Sequence, residues 1–424
     1  MATIEPFKGI RYNMEKITDL STVIAPPYDI INQSGQDAYY NQDPYNIIRL
    51  EYGKEEIGDS PANNRYTRAR DTFNRWLEQK ILLRESQPVF YLYRQSFTYR
   101  GTSYQRDGII AALKVEPYGK GAILPHEETL TKPKADRLEL FRSCRANFSP
   151  IFTLFPDREN QVERIYAPLL ERPPLAGFSD QQGESHRLWA ITSPARQKAL
   201  QEYIAPRSLL IADGHHRYET SLRFSEEAGA RRGRGYRYAL TIMTSLHSPG
   251  LLMLPTHRLL NGLSPRQAGT LLKIASRYFE LQFRDLPQGE SSSELFPELR
   301  EPGREPPALG LILPDRACLL TLKNAPGTPG RLDVSLLQEL IVKPLLEETP
   351  EGTAERVISY TTDQRELLKA VVTGRAQAGF ILSPTPMEEV VVRARRNEKM
   401  PQKSTYFFPK LPSGLVIYSL DQSM

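Results

Sequence analysis

Cysteine is nearly missing. The 424 residues hold two, Cys144 and Cys318, far apart and outside any Cys-x-x-Cys pattern. That scarcity points to a reducing cytoplasm and argues against a structural zinc site. No apolar run approaches the ~20 residues needed to span a bilayer. Met1 to Arg11 lacks the apolar core of a signal peptide, so a cytoplasmic protein without a membrane segment is expected. There is no G-x-x-x-x-G-K-[ST] loop and no G-x-G-x-x-G after a strand, which removes the P-loop and the Rossmann fingerprint. Neither H-E-x-x-H nor a G-x-S-x-G nucleophile elbow occurs. Internal repeats and long low-complexity tracts are also absent. The excess of positive charge is small, a net +5 over the whole chain. It suits phosphorylated small molecules and nucleic acid alike and decides between neither.

What is present is the composition of a soluble globular protein, 40% hydrophobic and 25% charged. The chain is too long for one ordinary domain, and two or three are expected. Its 34 prolines speak for many loops rather than a helical bundle.

Most of the chemistry gathers around Leu209 to Leu222. The apolar run Leu209 to Ala212 predicts a buried strand, and Asp213-Gly214 a tight turn. Tyr218, Leu222 and Ala228 then recur at helical spacing, so a helix opens near His215. A strand, a turn and a helix N-terminus make a place for anions, phosphate above all. His215, His216 and Arg217 in the first turn oppose the helix dipole unless an anion sits there. The same residues also fit a helix capped by Asp213 whose cations face water. Adjacent His215 and His216 diverge on a helix and cannot chelate a metal by themselves.

Elsewhere the pattern alternates strands and helices. Leu20 to Ala25 reads as a strand-like run stopped by Pro26 and Pro27, with Tyr28 and Asp29 at the tip of a rigid loop. Asn46 to Glu51 resembles a strand, and Asn64 to Lys80 a helix with Ala69, Phe73, Trp76 and Leu77 on one face. Val89 to Thr98 and Gly108 to Val115 form a hairpin turning at Arg100-Gly101. A short strand runs into Pro125-His126-Glu127-Glu128, followed by a helix over Lys134 to Asn147 and a strand over Ser149 to Phe155. Asp157 to Glu184 is polar and expected at the periphery. Arg187 to Thr192 predicts a strand and Pro194 to Tyr203 a helix. The basic loop Gly229 to Arg237 reads as a solvated surface loop rather than a nucleic-acid contact. Tyr238 to Ser245 and Gly250 to Pro255 predict neighbouring strands. The tail adds helices at Pro265 to Tyr278, Val334 to Glu348 and Asp363 to Gly374, with strands at Leu309 to Leu313 and Ala378 to Leu382.

Four polar clusters stand at strand ends: His126-Glu127-Glu128, Asp213 to Arg217, Thr256-His257-Arg258 and Lys403-Ser404-Thr405. Together they suit phosphoryl transfer, which needs donors and cations for phosphates and carboxylates for a metal and for the acceptor's proton. Taken singly, each also fits a capping acid, a strand-end pair or a surface lysine.

Asp213-Gly214-His215-His216-Arg217-Tyr218 after an apolar strand resembles the signature of the ParB/sulfiredoxin superfamily. The pairing of Pro125-His126-Glu127 with Asp213 to Arg217 is most similar to the free serine kinases of that superfamily. Over nearly its whole length the chain also resembles the domain of unknown function 1015 family. The matching stretches are Pro6 to Tyr12, Ala25 to Asp29, Leu124 to Glu127, Ile211 to Thr220, Leu254 to Arg258 and Met400 to Lys410. The resemblance implies an α/β fold with a ParB/sulfiredoxin-like mixed core, an N-terminal segment over 1–107, a core over 108–260 and a C-terminal α/β domain over 261–424. It implies a nucleotide-dependent kinase using ATP or ADP with Mg²⁺, most plainly on free L-serine. Glu127, Asp213 and His216 would be catalytic, with Asp213 also at the metal. Gly214, His215, Arg217, His257, Arg258, Lys403 and Ser404 would hold the nucleotide. Sulfiredoxin carries a cysteine where His215 stands, so its sulfinic-acid chemistry is not available here. The alternative reading is a ParB-like nucleotide-binding regulator or DNA-associated switch without metabolite turnover. No DNA-reading helix-turn-helix is evident downstream, and nucleic acid is the less expected partner.

Overall fold

Long apolar alternations build one large sheet first. In chain order its strands are β1 (Ile4–Glu5), β2 (Phe90–Tyr99), β3 (Thr102–Lys114), β4 (Ile123–Leu124), β5 (Ile151–Phe155), β6 (Ala176–Ser179), β7 (Ser185–Ile191), β8 (Leu209–Asp213) and β9 (Tyr238–Ser245). They lie in the order β4-β8-β5-β9-β3-β2-β7-β6, with β1 added on β3. The β4–β8 and β5–β9 pairs are parallel and the others antiparallel. The fold is therefore mixed α/β. This computed structural model describes residues 1–119, 121–129, 131–229, 233–286, 295–300, 302–323, 332–346 and 357–421.

The chain forms two compact units, one of residues 1–125, 129–252 and 409–424, the other of residues 126–128 and 253–408. In the first unit the hairpin expected at Arg100-Gly101 forms there, both residues adopting positive φ. Helix α1 (Arg65–Glu78) starts at Asn64, whose side chain caps Tyr66 and Thr67, and buries Ala69, Phe73 and Trp76. Helices α2 (Thr131–Cys144), α3 (Gln161–Tyr166), α4 (Pro194–Ile204) and α5 (His215–Ala228) follow. Leu92, Ile109, Ile151, Trp189, Ile211, Tyr218 and Met243 meet in its core.

The second unit carries an antiparallel six-stranded sheet. Its strands are β10 (His257–Leu260), β11 (Phe279–Arg284), β12 (Ala308–Ile312), β13 (Ala317–Leu322), β14 (Ile358–Thr361) and β15 (Ala378–Ile381). The order is β11-β13-β12-β15-β10-β14. Helix α6 (Pro265–Tyr278) opens on a Ser264–Gln267 capping box, and helix α7 (Gln364–Val372) on Asp363. Leu259, Ile312, Leu319, Leu367, Val371 and Ile381 form this core. No helix among the described residues is long and apolar enough to cross a membrane.

Several local expectations are corrected. Asn46 to Glu51 is not a strand: the Asn46 side chain accepts the Ile48 N–H at 2.9 Å and starts a short helix, Ile48–Glu51. Leu20–Thr22 is a 3₁₀ turn, closed by Asp19 accepting from the Ser21 N–H at 2.9 Å. Asp157 to Glu184 is not peripheral, since Val162, Tyr166 and Leu169 enter the first core. The strand expected at 250–255 is Leu252–Leu254, and it pairs with Tyr406–Phe408 rather than with β9. β11 and β13, not expected from the sequence, pair along six residues. The helix expected at 334–348 runs over Asp333–Leu346 with a π-turn at Gln338–Val342, residues 347 and 348 lying outside the described residues. Of the basic loop, residues 230–232 lie outside the described residues, and Gly235 and Tyr236 are buried in a 3₁₀ turn over Arg234–Arg237.

Candidate functional site

The first-unit turn begins with a break in pairing. β8 pairs β5 as Ile211 with Thr153, then Asp213 with Phe152, so Ala212 is a bulge. Bulges bend a strand and re-aim the side chain that follows. Gly214 then takes φ +91°, a conformation a side chain resists, and helix α5 opens at His215. The N-cap residue, Gly214, has no side chain with which to cap that helix N-terminus. A Cβ at Gly214 would stand 3.0 Å from the Arg217 guanidinium, so glycine is favoured by φ and any side chain would also press on Arg217.

Asp213 serves two cations at once. One carboxylate oxygen accepts from Arg217 Nη2 at 2.6 Å and the other from Lys410 Nζ at 2.9 Å. Arg217 Nη1 also donates to the Pro150 carbonyl. Arg217 is almost wholly buried. Burial works against its charge, but Asp213, with Asp29, Tyr28 and Glu51, raises its pKa above the ordinary arginine value. His215 is buried and His216 half-buried. Thr220 and Ser221 hydroxyls return to the His216 and Arg217 carbonyls at 2.7 and 2.8 Å, tying down the first turn.

A second buried charge group joins this one in the same unit. Arg137 donates to the Glu51 carbonyl at 2.7 Å and the Glu51 carboxylate at 3.3 Å, and pairs with Asp136 at 2.6 Å. Its guanidinium lies 4.0 Å from the centre of the Tyr28 ring. Ser149 donates to Glu51 at 2.7 Å. Burial pushes the Glu51 carboxyl up, with Arg137 and Ser149 opposing. Burial likewise pushes the Tyr28 hydroxyl up. Tyr28, Glu51, Arg137 and Lys410 were not singled out as site residues from the sequence. Only Tyr28, at the tip of the double-proline loop, carried a local signal.

The remaining candidates lie in the second unit. His126 is fully buried, its Nε2 2.9 Å from Thr405 Oγ1. His126 O and the Glu128 N–H bond Met400 at 2.8 and 3.2 Å, which sets Glu127 beside Met400 as a parallel bridge. Arg258 is buried on β10 and donates to the Thr256 carbonyl and to the Gln402 and Lys403 carbonyls at 3.1 and 3.0 Å. Burial pushes its pKa down to about 10, with Tyr360 and Glu127 opposing. His257 Nδ1 accepts from the Leu382 N–H at 3.2 Å, and the Ser404 hydroxyl donates to the Pro401 carbonyl. Lys403 holds a positive φ of 54°. The structure thus gathers Asp213, Gly214, His215, His216 and Arg217 in one unit. It gathers Glu127, His257, Arg258, Lys403 and Ser404 in the other.

The family model described as "Protein of unknown function (DUF1015)" matches residues 4–339. The chain belongs to this family. No curated protein matches this DUF1015 sequence. Solved structures that resemble it include a conserved hypothetical protein from Pyrococcus furiosus, with 16% identity, TM-score 0.37, and coverage of 71% of this chain and 93% of that one. A free serine kinase in complex with AMP matches at 16% identity and TM-score 0.37, covering 69% and 89%. SbnI with a C-terminal truncation, from Staphylococcus aureus, matches at 11% identity and TM-score 0.38, covering 74% and 90%.

Proposed function

We propose that the turn from Asp213 to Arg217 binds nucleotide phosphates, and that the protein is a nucleotide-dependent kinase acting on a small hydroxyl compound, free L-serine. The observation that carries the reading is the α5 N-terminus, reached through Gly214 at φ +91° and flanked by two basic side chains. Arg217 and Lys410 share the single carboxylate of Asp213 beside it. Two cations and the positive end of the helix dipole meet at that carboxylate. A phosphate there is drawn by the helix N-terminus, Gly214 admitting it and Arg217 completing the contact.

In this reading the serine hydroxyl oxygen attacks the terminal phosphorus of ATP or ADP. A P–O bond to serine forms as the bond to the bridging nucleotide oxygen breaks, and its electron pair leaves with ADP or AMP. The role of proton acceptor is assigned to Glu127 by the resemblance of Pro125-His126-Glu127 to the free serine kinases, and His216 stabilises the phosphate oxygens. In the second unit Arg258 holds the Lys403-Ser404 turn through the Lys403 carbonyl, and His257, Arg258, Lys403 and Ser404 are the further nucleotide-binding candidates. Mg²⁺ supplies neutralisation of phosphate charge when it accompanies the nucleotide. Asp213 does not fit as its ligand in this arrangement, because Arg217 and Lys410 already occupy both carboxylate oxygens. It is a positioning residue for the two cations.

The test is incubation with L-serine, Mg²⁺ and either ATP or ADP, scoring phosphoserine and the nucleotide product together. Glu127→Gln is expected to retain nucleotide binding and lose about 10²–10⁴-fold in rate, the usual worth of a general base. Arg217→Lys is expected to weaken nucleotide binding in a thermal-shift titration. Nucleotide binding without phosphoserine would overturn the kinase assignment and keep the phosphate site. Unchanged affinity in Arg217→Lys would overturn the phosphate site itself.

A further inference from the structure

Away from that turn, the hairpin joining β6 to β7 brings Asp180, Glu184 and His186 together. One ligating atom from each lies within 4.8 Å of the others. The local chain explains the convergence. Gly183 adopts φ +80°, and its N–H bonds the Asp180 carbonyl at 3.1 Å, turning the chain back. Glu184 and His186 are two residues apart at the start of an extended strand, so they face the same side. Asp180 is carried over them by the turn.

The surroundings of the three side chains are those of metal ligands held by a supporting layer. Each carboxylate has an oxygen anchored by hydrogen bonds from outside the cluster's three side chains. Asp180 Oδ1 accepts the Gln182 and Glu184 N–H groups, both at 2.9 Å. Glu184 Oε2 accepts from Gln95 Nε2 at 2.7 Å, and Gln95 is itself held by Arg106 at 2.5 Å. His186 Nδ1 lies 2.7 Å from the Tyr93 hydroxyl, which directs Nε2 at the acids, and its ring stacks on Phe178 at 4.5 Å. Such outer partners fix the ring and carboxylate orientation of metal ligands.

Two further observations favour a cation over a simple hydrogen-bonded cluster. His186 Nε2 and Asp180 Oδ2 are 3.4 Å apart. That is long for a charge-assisted hydrogen bond, whose usual range is about 2.7–2.9 Å. It is close to the ~3.3 Å edge of a tetrahedron with bonds of about 2.0–2.1 Å. Glu184 is 7% exposed, so water screens its carboxylate little. A buried carboxylate beside a second carboxylate is costly unless positive charge is near, and a metal ion would add to that of the Arg106 guanidinium.

We propose that Asp180, Glu184 and His186 bind a divalent metal ion, Zn²⁺ by the donor set, which clasps the β6–β7 hairpin at the edge of the large sheet. One imidazole and two carboxylates suit Zn²⁺, leaving a fourth position for water. The scarcity of cysteine argues only against thiolate ligands and leaves this site open.

The test uses the full chain stripped of metal by chelator dialysis and titrated by calorimetry with Zn²⁺ and, separately, Mg²⁺. Saturable one-to-one Zn²⁺ binding and a raised melting temperature are expected, with Mg²⁺ without effect. His186→Asn and Glu184→Gln are each expected to weaken Zn²⁺ at least about 10–100-fold, the loss that even outer-layer partners produce. Zn²⁺ binding of equal strength in both variants would put the metal elsewhere and overturn the proposal, as would no saturable binding to the natural protein. Should a variant fail to fold, Co²⁺ added to the natural protein decides the matter. The intense visible absorption of a tetrahedral complex is expected, and the weak spectrum of hydrated Co²⁺ would overturn it.

Discussion

Replacing Asp213 by asparagine tests the ionic centre of the first unit. The carboxylate faces Arg217 at 2.6 Å and Lys410 at 2.9 Å, and the Arg217 side chain is only 7% exposed. Removing one partner of a buried pair costs about 3–5 kcal/mol, because the other charge remains in a poorly solvated place. Asp213 itself is 21% exposed, and asparagine keeps one oxygen for a donor, so the expected loss is nearer ~2–3 kcal/mol. The readout is direct. Both tryptophans, Trp76 and Trp189, belong to the first unit, so urea unfolding followed by their fluorescence reports that unit alone. For a body of this size the melting temperature is expected to fall by roughly 4–8 °C. Arg217→Met in the Asp213→Asn background then removes the stranded charge, and exchanging buried ions for apolar groups is often near neutral. The double variant should be no less stable than Asp213→Asn. A loss under ~0.5 kcal/mol for Asp213→Asn would refute the reasoning. So would an Arg217→Met penalty that is the same with and without Asp213.

Gly214→Ala is expected to cost about 1–2 kcal/mol from the left-handed backbone alone. It should also weaken nucleotide binding by displacing Arg217, both read by nucleotide thermal shift; full retention of affinity would remove Gly214 from the phosphate site. Asn64→Ala removes the α1 cap and should cost ~1 kcal/mol by tryptophan-detected unfolding. Burial raises the Asp333 carboxyl to about 6 from 3.8, with Ser383, Arg304 and Glu305 as lesser influences. A raised carboxyl means the folded state holds the proton more tightly. The stability this group contributes is therefore present at acid pH and lost as pH rises from about 4 to 6. Asp333→Asn should then gain about 1–2 kcal/mol at pH 8 and nothing at pH 3.5, measured by calorimetry because the second unit has no tryptophan. A difference that does not change with pH would refute it.

Local sequence determined the elements whose causes are local. The buried run Leu209 to Ala212, the Asp213-Gly214 turn and the helix from His215 were legible because periodicity and glycine chemistry act within a few residues. The Arg100-Gly101 hairpin and the Asn64 cap belong to the same class. Elements decided by partners were not legible. Asn46 to Glu51 looks like a strand until Asn46 is seen to cap Ile48, and Val162, Tyr166 and Leu169 sit in a stretch whose average polarity hides them. The candidate site divides the same way. Asp213 to Arg217 announced itself by its order along the chain. Lys410 lies 197 residues from Asp213, and Arg137 lies 86 from Glu51. Asp180, Glu184 and His186 are close in sequence, yet their common focus depends on Gln95, Tyr93 and Arg106 arriving from neighbouring strands. Charge pairing between distant residues leaves no periodic trace, because burial, which makes such a pair matter, exists only once the sheet has formed.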